Sequence, residues 1–138
     1  MAKSQALREL YAALEAYQPL VALTGHTPGA TKLPEARIVG DAVRLRPHPV
    51  PGLVLGLGGK NQGRTQAEKV WDVSLMVYAA DVFAAADIGE TLETFALDSR
   101  WTTSSIRKVD WLSSQQVELE PDQQYISCQV LLRLYLVS

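Results

Sequence analysis

Hydrophobic positions along the chain change their period in a definite order, and that order predicts the elements. Leu7, Leu10, Tyr11, Leu14 and Tyr17 recur at spacings of three and four, which places them on one face of a helix over residues 5–17. Lys3, Arg8, Glu9 and Glu15 fall largely on the other face. Ser4 stands where a hydroxyl can cap the first free amides, and Pro19 ends the pattern. Residues 23–51 carry Gly25, Pro28, Gly29, Pro34, Gly40, Pro47, Pro49 and Pro51, too much punctuation for long elements. Two short strands fit between these breakers, residues 36–39 and 42–46. In the second, Val43 and Leu45 alternate with Arg44 and Arg46, as on a half-buried edge.

Beyond the extended turn at residues 48–52, Leu53, Val54 and Leu55 begin a strand that runs into glycine. A second strand, residues 67–79, alternates Trp71, Val73, Leu75 and Val77 with Asp72, Ser74, Met76 and Tyr78. Asp81 then caps a helix that buries Ile88, Leu92, Phe95 and Ala96, leaves Asp87, Glu90 and Glu93 wet, and stops near Asp98. Residues 105–120 hold Ile106, Val109 and Trp111 at uneven spacing, which predicts a β-bulge near residues 107–109. Pro121 and Asp122 make a turn into the last strand, residues 125–137. There Ile126, Cys128, Val130, Leu132, Leu134 and Leu136 share one face, while Leu131, Arg133, Tyr135 and Val137 lie on the other. Apolar residues on that second face predict that it too is covered, by a helix or a neighbouring subunit. The expected class is α+β: a mostly antiparallel sheet of four to five strands with two helices packed on one face.

Composition agrees with a globular chain. The 138 residues are 47% hydrophobic and 20% charged, enough for a single domain spanning residues 1–138 with its own core. A net charge of -2 supplies no field to hold nucleic acid or an anionic membrane without specificity. The amino terminus lacks the apolar core of a signal peptide, and no run of about 18 apolar residues is present to span a bilayer. Synthesis and retention in the cytoplasm are expected. Cys128, the single cysteine, has no internal disulfide partner and reads as a small buried hydrophobe.

The stretch from Gly52 to Gln66, GLVLGLGGKNQGRTQ, raises the question of a phosphate-binding loop. Gly59 and Lys60 give the Gly-Lys pair, but Asn61 replaces the Ser or Thr and Val54 replaces the first glycine. The segment that follows has the period of a strand, whereas phosphate sites use a helix amino terminus. The stretch therefore reads as a hairpin tip carrying Lys60 and Arg64, of the kind that orders on meeting a partner. His26 and His48 lie far apart in loops and are expected at turns or the surface, without metal-ligand spacing. Glu118, Glu120 and Asp122 lack the glycine and ligand pattern of a calcium loop. No serine has a nucleophile elbow, and the cations are interleaved with acids rather than aromatics. Neither a catalytic group nor a cofactor is expected.

The layout resembles a known family. A helix like SQALRELYAALEAY, a strand like EKVWDVSLMVYA, an alanine-rich helix like DVFAAADIGETLETFAL and a last strand like YISCQVLLRLYLV are together similar to the tail terminator and tail completion proteins of long-tailed bacteriophages and gene transfer agents. The resemblance is strongest over residues 68–97 and 124–137. It implies a non-enzymatic virion protein, assembled in the host cytoplasm. Six copies would form a ring on the head-proximal end of the tail tube, with the tube protein and a head-proximal connector as partners. Interface residues expected from the sequence itself, the family offering no residue-level motif to carry over, are Gly58, Gly59, Lys60, Asn61, Gln62 and Arg64 at the hairpin tip, with Leu131, Arg133 and Tyr135 on the last strand. A neck or head-closure protein of the same particle is the main alternative, and a small soluble enzyme or ligand-binding domain is the alternative from another class.

Overall fold

The computed structural model describes residues 2–30, 35–40, 50–57, 70–98, 105–116 and 124–136. In chain order these form α1 (Ala2–Ala16), α2 (Gln18–Thr24), β1 (Ile38–Val39), β2 (Gly52–Leu57), β3 (Val70–Ala79), α3 (Val82–Asp98), β4 (Ile106–Gln116) and β5 (Ile126–Leu136). The strands make one five-stranded sheet in the order β1-β2-β3-β5-β4, antiparallel throughout except for the short β1–β2 pair. β5 enters between β3 and β4, and α3 carries the chain across the helix-covered face from one to the other. The α+β class expected from the hydrophobic pattern is the class observed.

Three details differ from the sequence patterns. α1 begins at Ala2, so Ser4 lies inside its first turn and not at the cap; Ala2 and Lys3 are good helix formers, and nothing before Ser4 stops the helix. A third helix, α2, follows α1 after the single extended residue Tyr17 (φ -83, ψ 101). Pro19 occupies its first turn, where the missing N–H has no intrahelical partner to lose, so the residue that ends one helix helps start the next. α2 then closes on Gly25, whose φ of 75 is left-handed and whose N–H bonds the Val21 carbonyl at 2.8 Å. The third detail is the size of β1, which covers only the last two of residues 36–39. The expected strand at 42–46 lies outside the described residues.

The main core forms where the apolar faces of α1, α2 and α3 meet one face of the sheet. Leu10, Leu14, Leu20, Ile88 and Leu92 pack there with Val73, Leu75, Val130, Leu132 and Leu134, all at 0–1% exposure. Full burial of a leucine-sized side chain is worth about 1.5–3 kcal/mol, and this layer is what holds the helices down. Tyr17 adds an edge-to-face contact with Phe95, centroids 5.2 Å apart. A smaller cluster of Ala36, Val39, Val54 and Tyr78 lies apart from it, with Met76 and Tyr125 against it. β3 is buried on both faces along nearly its whole length, as a central strand should be.

β4 explains its own uneven spacing. Its pairing with β5 steps from Ile106↔Leu136 to Lys108↔Tyr135, and again from Trp111↔Leu132 to Ser113↔Leu131. Each step inserts one extra residue, Arg107 and Leu112; the first lets Ile106 and Val109, three apart, face the helices together with Trp111. The bulge expected near 107–109 is present. The second, at Leu112, is followed within β4 only by Ser113, Ser114, Gln115 and Gln116, which give no apolar mark of the change of phase.

Candidate assembly surfaces

Among the described residues, no three His, Cys, Asp or Glu side chains gather to hold a metal ion. The surfaces of interest are therefore built from packing and charge. The expected hairpin-tip residues Gly58, Gly59, Lys60, Asn61, Gln62 and Arg64 lie outside the described residues. The antiparallel pairing of β2 with β3 that would carry that tip is present, from Gly52↔Tyr78 to Leu57↔Val73.

Leu131, Arg133 and Tyr135 share the face of the sheet opposite the helices. Arg133 is not a free cation there. Its guanidinium donates two hydrogen bonds to the Asp72 carboxylate, at 2.8 and 3.1 Å, from the adjacent position on β3. This pairing pushes the Arg133 guanidinium further up from its ordinary value, against the opposing effect of burial. On its other side Arg133 faces Asp110 of β4. Lys108 completes the row, 3.4 Å from Asp110 and 5.3 Å from the centre of the Tyr135 ring. The Asp72 and Arg133 charges are consumed by a cross-strand pair, whereas Lys108 and Asp110 lie two residues apart on β4 and the Lys108 side chain stays 64% exposed. The face can present a shaped polar surface, but Arg133 is already spoken for.

The helix side carries an open groove of about 720 Å³ between α3 and the β4–β5 hairpin. Ala85, Ala86 and Gly89 form its helical wall, Trp111 and Ser114 its floor, and Glu93 and Leu97 part of its rim. The Trp111 Nε1–H is buried and has no hydrogen-bond partner among the described residues. Cys128 also lines the groove, and burial pushes its thiol up, away from the reactive thiolate. A second, smaller groove of about 420 Å³ separates α3 from α2 and is lined by Leu23, Asp87, Glu90 and Thr94. Between the two grooves α3 stands as a ridge. Phe83 is 78% exposed near one end and Leu97 70% near the other. The sequence pattern identified the wet acids of α3 but not this groove, because Trp111 counts as core by its spacing.

His26 was expected at a turn or the surface and is instead buried, its side chain fully inaccessible. Its Nδ1 accepts the backbone N–H groups of Arg37 at 2.8 Å and Ile38 at 3.0 Å. The remaining ring nitrogen, Nε2, must then carry the proton, and it donates to Glu15 Oε2 at 2.8 Å. That same oxygen accepts the Gly29 N–H at 2.7 Å. A His–Glu contact is also part of many catalytic groups, but here both ring nitrogens are committed to holding the end of α1, the loop after α2 and β1 together. The Tyr11 hydroxyl adds a bond to the Ile38 carbonyl at 2.7 Å. Sequence proximity offered no signal, since the partners lie 11 and 12 residues away in a segment without periodicity.

No protein-family model matches the chain, and no curated protein matches it in sequence. Solved structures do share its fold. A chain of the virion of a native gene transfer agent particle aligns with a TM-score of 0.62, covering 91% of this chain and 90% of that one at 16% identity. The gp17 protein of bacteriophage SPP1 aligns with a TM-score of 0.57, covering 100% of this chain and 94% of that one, also at 16% identity. At this identity the likeness is one of fold, carried from end to end of both chains.

Proposed function

We propose that the chain is a structural virion protein, acting as one domain, whose six copies form a ring on the head-proximal end of a phage-type tail tube. The ring ends polymerisation of the tube and offers a surface to the head connector. The observation that carries this reading is the end-to-end correspondence of fold with a gene transfer agent virion chain and a bacteriophage protein, with almost nothing left over on either side. No bond chemistry is required of such a subunit. Cyclic closure would keep head-to-tail contacts from growing into open filaments. The hairpin tip at residues 58–64 and the outer face of β5, with Leu131, Arg133 and Tyr135, are the proposed contacts to the tube or a neighbouring subunit.

Electron microscopy of particles produced without this gene tests the reading. Overlong or headless tails are expected. Tails of normal length beside unjoined or leaking heads would move the protein to the neck, and unaffected particles would overturn a structural role. Deleting residues 58–63 sharpens the result: the fold should survive while tail completion is lost.

A further inference from the structure

Among the described residues, some of the charged side chains without an ion-pair partner form one ordered row. On α3, Asp87, Glu90 and Glu93 recur every three residues along the ridge between the two grooves, and Asp87 and Glu90 are exposed. Phe83 and Leu97, both largely exposed, bracket them. A helix face of this kind, apolar at its ends and acidic in the middle, lacks its complement among the described residues.

Exposed cations gather elsewhere. Arg107 is the extra residue of the first β4 bulge and is exposed, and the next residue, Lys108, keeps a 64% exposed side chain although it lies 3.4 Å from Asp110, so Arg107 is the main cation here. The Glu9 carboxylate accepts the Ser105 N–H at 3.0 Å, which brings the turn of α1 that carries exposed Arg8 to the start of β4. This basic corner is built on α1 and the start of β4, and the acidic ridge on α3.

We propose that the acidic ridge of α3 docks against the basic corner of a second copy of this chain, head to tail. Charge complementarity selects the partner. Two ridges meeting about a twofold axis would set Asp87 and Glu90 against the same residues, and like charges brought together oppose contact. A ridge meeting a corner pairs opposite signs and leaves each copy with one free ridge and one free corner, the condition for a closed ring. Arg107, Lys108 and the two bulges also discourage the β4 edge from adding a foreign strand, so the contact runs through side chains. Phe83 and Leu97 supply apolar area beside the charges, and the Trp111 N–H in the adjoining groove offers a donor to whatever the neighbour presents. The inference rests on the ring reading for its closure but concerns a contact that can be measured in the free protein.

Two charge-reversed proteins test it. One carries Glu90→Arg with Glu93→Arg, the other Arg107→Glu with Lys108→Glu, and self-association of each is followed by sedimentation at low salt and high protein concentration. The wild type should associate, each reversed protein alone should lose at least about tenfold in affinity, and mixing the two should restore it. Proximity is checked independently in a Cys128→Ser background, where Glu90→Cys and Arg107→Cys proteins should form a disulfide with each other and not with themselves; this pair serves if a reversed protein fails to fold. Wild-type protein that stays monomeric under these conditions, or Glu90→Cys copies that cross-link to one another, overturns the contact. Rings that form and ignore both reversals overturn the contact while leaving the ring. Restored association together with unaffected particles in the gene deletion overturns the tail reading while leaving the contact.

Discussion

The His26 corner and the Trp111 groove lie at opposite margins of the sheet and are finished in opposite ways. Beside β1, a buried imidazole uses both nitrogens, its carboxylate partner takes a second donor, and a tyrosine hydroxyl closes the remaining carbonyl. Beside β4, an indole N–H is buried at the floor of an open groove with no acceptor among the described residues. The first margin holds the fold together where strand pairing is only two residues long. The second leaves a polar group and an apolar surface unspent. A satisfied polar cluster fixes one structure, whereas an orphan donor beside exposed apolar residues is material for a contact with something else.

Five substitutions break or sharpen this contrast. His26→Leu should have the largest effect, about 3–5 kcal/mol, because it strands two backbone donors and a carboxylate in a buried place. His26→Asn should recover part of the loss, since its amide oxygen can stand near the position of Nδ1; equal thermal melts for wild type and His26→Leu would remove the corner from the account of stability. Asp72→Ala comes next, at about 1–3 kcal/mol, less than a fully buried pair because the Arg133 side chain is 21% exposed. Chemical denaturation reads this value, and a loss below the detection limit would mean that Asp110 takes over Arg133.

Gly25→Ala should cost about 1 kcal/mol through left-handed backbone strain alone, since nothing lies within 4 Å of the added Cβ. A larger loss would show that the turn after α2 has steric partners of its own. Trp111→Phe should have the smallest effect, within about 0.5 kcal/mol of wild type, because removing an unpaired donor offsets the apolar area lost when the indole becomes a smaller phenyl ring. A loss above about 2 kcal/mol would show that the indole N–H is satisfied, and the contrast between the two margins would collapse.

Much of the fold was legible because it rests on local periodicity. The period of two in β3 and β5 located the central strands and their inward faces, and Val130, Leu132 and Leu134 are indeed inaccessible. Asp81 caps α3 as its position suggested, accepting the Ala84 N–H at 2.8 Å. The interface was less legible. Arg133 had the right alternation for an outward cation, but alternation is blind to the strand next door, and that strand supplies Asp72. Glu9 and Glu15 likewise looked like solvated helix residues, yet one holds the start of β4 and the other holds His26.

The sequence by itself therefore determined the order and type of the main elements, the apolar faces of α1, α3, β3 and β5, and the first bulge of β4. These depend on spacings within a few residues, where backbone geometry translates pattern directly into direction. Only the tertiary structure decided that β5 lies between β3 and β4, that β1 runs parallel to β2, that His26 is buried, and that Trp111 keeps an unpaired N–H. Each of these depends on which distant groups meet, and hydrogen bonds and ion pairs across 11 to 96 residues leave no period in the chain that makes them.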